Sequence, residues 1–100
     1  MAERIRVDVE RTGGFGGLTT RRSADTDSLP EEQARELAAL VDALDLAALR
    51  DAPAPARAVP DAFSYDVTVT RGGSQVRLRA QDPDVPAQLR PLIRFVVQRA

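Results

Sequence analysis

The chain has 100 residues, a formal net charge of −1, 43% apolar and only 4% aromatic side chains, and neither cysteine nor histidine. That composition describes one small domain with an aliphatic core. It excludes disulfides and thiolate metal sites, and it removes the commonest general base and metal ligand. All fourteen basic residues are arginines scattered among acids, so the basic excess or stripe of a nucleic-acid binder is missing.

Arg4 to Arg11 alternates polar and apolar residues, with Ile5, Val7 and Val9 on one side, the pattern of a strand with one buried face. No apolar run of signal-peptide or membrane-spanning length appears, so no membrane association is expected and the expected compartment is the cytoplasm. Four of the six glycines then fall within five positions, Gly13, Gly14, Gly16 and Gly17, around Phe15. Glycine serves where the backbone needs positive φ or close approach, so this stretch predicts a hairpin connection. Phe15 either folds back onto the core or stays exposed for a partner, and the expected hairpin tucks Phe15 or Leu18 into the core edge. The stretch has no Gly-Lys-Ser/Thr ending and no following helix, so it is not a phosphate loop. Leu18 to about Ala24, rich in Thr and Arg, predicts a return strand suited to a sheet edge.

Asp25 to Glu32 predicts a helix start. Ser28 and Glu31 have capping-box spacing, Pro30 is tolerated in a first turn, and the acids at 25, 27, 31 and 32 complement the helix dipole. Leu37, Leu40, Val41 and Leu44 follow at helical spacing, widened by Ala34 and Ala38, and Leu46 and Leu49 predict a short further turn after a break near Asp45. Arg50 to Ala62, with Pro53, Pro55 and Pro60, predicts an ordered or semi-rigid loop. Phe63, Tyr65, Val67 and Val69 alternate with polar residues in the clearest strand of the chain. Arg71-Gly72-Gly73-Ser74 predicts a tight hairpin into a strand with Val76, Leu78 and Ala80 on its apolar side. Asp82 to Pro86 breaks that strand. Leu89, Leu92, Ile93 and Val96 form the stripe of a last helix, expected to begin near Arg90 or Pro91.

The expected fold class is α+β: a two-layer β-β-α-β-β-α arrangement, a four-stranded mainly antiparallel sheet with two helices on one face and a wet polar face opposite. Residues 1–100 are expected to form a single domain. The carboxylate pairs Asp25/Asp27, Glu31/Glu32 and Asp82/Asp84 sit where capping uses acids, and the Asp25–Glu31 spacing lacks the glycine and terminal Glu of a calcium loop. No catalytic residue, cofactor or metal ligand is predicted, and an enzyme is not expected.

Gly13-Gly14-Phe15, Pro60-Asp61-Ala62-Phe63-Ser64-Tyr65 and Leu89-Arg90-Pro91-Leu92, set among the elements above, resemble the emfourin family. These are small protein inhibitors of thermolysin-like (protealysin-type) zinc metallopeptidases, and the likeness spans nearly the whole chain. The resemblance implies a cytoplasmic bacterial inhibitor that blocks a peptidase cleft, with that peptidase as partner and a monomer when free. Thermolysin-like enzymes select a bulky apolar side chain after the scissile bond. Two segments could supply it on a braced loop: Leu29, within Asp25, Thr26, Asp27, Ser28, Leu29 and Pro30, and Phe15, within Gly13, Gly14, Phe15, Gly16 and Gly17. The first is favoured for peptidase binding, and the second is a secondary contact or structural loop. Leu29 could instead staple the helix start to the sheet. The alternative function is a non-inhibitory interaction or assembly module that uses an exposed sheet edge.

Overall fold

A computed structural model describes residues 4–13, 18–51, 63–81 and 85–99. Gly14, Phe15, Gly16 and Gly17, most of the proline-rich loop and Asp82 to Asp84 lie outside the described residues. The elements run β1 (Ile5–Gly13), β2 (Leu18–Asp25), α1 (Glu31–Asp42), α2 (Leu46–Asp51), β3 (Phe63–Arg71), β4 (Ser74–Gln81) and α3 (Leu89–Arg99). The sheet is antiparallel throughout, in the order β2-β1-β3-β4, which makes β2 an edge strand as its charged composition suggests. The fold class is therefore α+β as expected, with the short α2 as a third helix.

The register explains the core. Val7 lies opposite both Ala24 and Val69, and Val9 opposite Val67, which in turn faces Leu78. Alternation puts all of these on one face, where Ile5, Val7, Val9, Ala24, Val67, Val69, Leu78 and Ala80 are buried. Leu37, Val41 and Leu44 come down from the α1 region, and Leu89, Leu92, Ile93, Phe95 and Val96 from α3. The core is aliphatic except for Phe95, and no polar side chain is buried among the described residues. α3 lies over β1 and β2, α1 packs beside α3, and α2 sits against β4. The opposite face is wet and of mixed sign. Arg21 pairs with Glu10 at 3.1 Å, Arg6 with Asp8 at 3.2 Å, and Arg79 Nε reaches Asp66 Oδ1 at 3.2 Å.

Two turn glycines fulfil their sequence reading. Gly72, with φ of 58°, opens the two-residue turn between β3 and β4. Gly13, with φ of 119°, ends β1 while still paired on both sides, to Leu18 and to Phe63.

Two expectations are corrected. The N-cap of α1 is Pro30, with φ −55° and ψ 152°, and no side chain caps it, so Ser28 and Glu31 do not form a capping box. The chain has already turned ahead of the helix, because the Asp25 carbonyl accepts the N–H groups of Ser28 (2.9 Å) and Leu29 (3.1 Å). Glu31 and Glu32 do lie in the first turn, where the dipole favours them. α3 begins at Leu89, slightly earlier than expected. Pro91 then falls within the first turn, where a missing N–H leaves no helical bond unmade.

Candidate functional site

The segment from Asp25 to Pro30 joins the edge strand to α1 and is held from both sides. Arg4, just ahead of β1, donates from Nε to Asp25 Oδ1 at 3.1 Å and to Oδ2 at 3.0 Å, and its Nη2 also reaches Oδ2. Asp25 Oδ1 accepts the Asp27 N–H at 2.9 Å. Thr26 is clipped to β1 by its N–H donating to the Ile5 carbonyl (2.9 Å) and its Oγ1 accepting the Ile5 N–H (3.1 Å). The hydrogen bond from Arg4, and after it the Asp27 N–H, hold the Asp25 carboxyl below its usual pKa. At the helix end, Ala34 N–H donates to the Pro30 carbonyl at 2.8 Å.

This bracing divides the six residues. Asp25 and Thr26 spend their polar groups on the protein itself. Asp27, Ser28 and Pro30 are exposed, with Arg4 Nε at 3.5 Å from Asp27 Oδ2. Leu29 is half-buried and packs against the core. It therefore takes part in the staple that the sequence offered as the alternative, and part of its surface still faces out. Beside the segment a cleft runs between α1 and the start of β1, lined by Ile5, Thr26, Asp27, Glu31, Arg35, Asp42 and Arg71 among others. Its charges are internally matched, Arg35 to Glu31 and Arg71 to Asp42, both at 2.6 Å.

Of the second segment, only Gly13 is described. It sits at the opposite end of β1 from the residue paired with Asp25. At the Gly13 end the structure corrects the place of Leu18, which the sequence offered with Phe15 as the side chain tucked into the core edge. Leu18 is 73% exposed, the one large apolar side chain so exposed among the described residues. The available signal was its position: an apolar residue directly after the glycines, in register with the core face but farther along than any predicted helix reaches. Arg4 was missed as the brace of Asp25, because the 21 residues between them are bridged only once β1 and β2 pair.

In the comparison with known families, the family model described as Emfourin matches residues 9–97. No curated protein and no solved structure matches the chain.

Proposed function

Because the chain belongs to the Emfourin family, whose members are inhibitor proteins and not enzymes, we propose that it inhibits a thermolysin-like zinc metallopeptidase by laying residues 25–30 into the active-site cleft. The family match over almost the full chain carries this reading. The braced geometry is consistent with it: a loop already fixed by Arg4, Ile5 and the α1 start loses little freedom on binding. In this reading Asp27, Ser28 and Pro30 present the backbone and polar edge, and the outward part of Leu29 enters the pocket for a bulky apolar residue.

The test is titration of a thermolysin-like peptidase with the purified protein. Stoichiometric loss of activity is expected. No inhibition at micromolar concentration, including of any thermolysin-like peptidase found encoded beside this gene, overturns the reading. Leu29→Ala then separates contact from staple. As a contact, the leucine contributes roughly 1.5–3 kcal/mol in an enzyme pocket, about ten- to a hundredfold in affinity. A variant that melts lower yet inhibits normally once folded assigns Leu29 to the staple alone. The edge position of β2 favours the second reading, assembly by strand addition. A concentration-dependent dimer with no effect on any peptidase would establish it instead.

A further inference from the structure

The helix-covered face of the sheet is longer than the helices that cover it. Its rows run from Ile5 through Val7 and Val9, all buried, to Arg11, flanked by Thr20 and Tyr65, and to Gly13, flanked by Leu18 and Phe63. At these last two rows cover is incomplete. Tyr65 and Phe63 are half-buried and Leu18 stands in solvent. Leu18 and Phe63 flank Gly13 from the two neighbouring strands, so they stand two strand spacings apart, roughly 10 Å.

The charge here differs from that of the rest of the molecule. Arg11 sets its guanidinium 4.8 Å from the centre of the Phe63 ring, which orients it without a carboxylate. A cleft between this row and α3 is lined by Arg11, Tyr65, Arg90, Ile93, Arg94 and Val97 among others, and no acid is among its described lining. Arg11 and Arg94 form no ion pair with any described carboxylate. The acids Asp25, Asp27, Glu31 and Asp42 gather at the other end of the sheet, and the chain as a whole is slightly negative. A cleft whose described charged lining is all arginine, walled by the Tyr65 ring, with the exposed Leu18 at the next row of the sheet, has the make-up of a binding surface: arginine and aromatic anchors near an apolar knob.

We propose that the described surface around Leu18, Arg11 and Arg94 is a second contact surface for the inhibited peptidase, distinct from residues 25–30. Leu18 inserts into an apolar depression, and Arg11 and Arg94 face carboxylates on its rim. The assignment rests on the inhibitor reading, and the charge on the cleft commits it to an acidic region of the partner. Opposed charges at the rim speed encounter and fix orientation more than they add affinity.

The experiment uses the full chain and a thermolysin-like peptidase that the wild type inhibits. Leu18→Ala, Arg94→Glu and the double variant Arg11→Gln/Arg94→Glu are compared for inhibition constant, association rate at low and high salt, and melting temperature. Leu18 and Arg94 are exposed, so their variants keep the wild-type melting temperature. Each is expected to weaken inhibition roughly tenfold, and the double variant is expected to associate at least tenfold more slowly at low salt. Salt should slow the wild type and hardly affect the double variant. Folded variants that inhibit like the wild type, with the same salt dependence, overturn the assignment and leave the inhibitor reading standing. A wild type that inhibits nothing overturns both. Wild-type self-association that Arg94→Glu abolishes would overturn it in favour of a second copy, whose acidic end would fill the cleft.

Discussion

Gly13 holds a φ of 119°, a conformation that side chains with a Cβ rarely adopt, while pairing to strands on both sides. Gly13→Ala should therefore cost more than ~1 kcal/mol, read as a drop of several degrees in melting temperature. The Arg4–Asp25 pair gives a second expectation. Asp25 has a folded pKa below its ordinary value of 3.8, so it binds its proton less readily in the native state than in the unfolded one. Its contribution to stability is present above that value and is lost as pH falls through the lower folded pKa. Asp25→Asn should thus lower stability near neutrality and flatten its decline below about pH 4. Acid unfolding followed by circular dichroism checks this, and parallel curves for the two proteins would remove Asp25 from the acid response. Leu29 shows how far single residues can be read from sequence. It lies outside the Leu37–Leu40–Val41–Leu44 stripe, so periodicity leaves it unassigned. Its partial burial follows from the tight turn at Asp25, which periodicity does not encode.

The elements themselves were the most legible level. β1 and β3 carry strict alternation and formed where it predicted, and the stripe of α3 predicted that helix apart from its slightly earlier start at Leu89. The start of α1 was misread because Ser-x-x-Glu is a local pattern. The backbone turn from Asp25 takes up the N–H groups of Ser28 and Leu29 first, and Pro30 is left as the cap. α3 buries a wider face than its stripe predicted. Phe95 joins Leu92 and Ile93 because α3 meets the sheet on one side and α1 on another. Truncation there should be costly: Leu92→Ala, at a site with 0% exposure, is expected to lose about 2–5 kcal/mol. Denaturant midpoints measure this, and a loss below ~1 kcal/mol would mean that α3 contributes little to the core.

The two ends of the molecule offer different surfaces. One presents a braced polar loop above acids already paired with arginines, and the other an exposed leucine near Arg11 and Arg94, which form no ion pair with a described carboxylate. The sequence offered the braced loop but with a capping box as its brace, not Arg4 and Thr26, and this polarity was not visible there, where the acids and arginines interleave. Strand pairing and helix packing bring Asp25, Asp27, Glu31 and Asp42 to one end and Arg11 and Arg94 to the other, and pairing is a long-range property. β1, at the centre of the sheet, draws one neighbour from the next hairpin arm but the other from about 50 residues downstream. During synthesis, therefore, β1 and β2 can zip together early, while the far side of β1 waits for residues 63–71 to leave the ribosome. Until then the backbone edge beside Ile5, Val7 and Val9 is open to any passing strand, so the newborn chain is most exposed to aggregation while its middle third is being made.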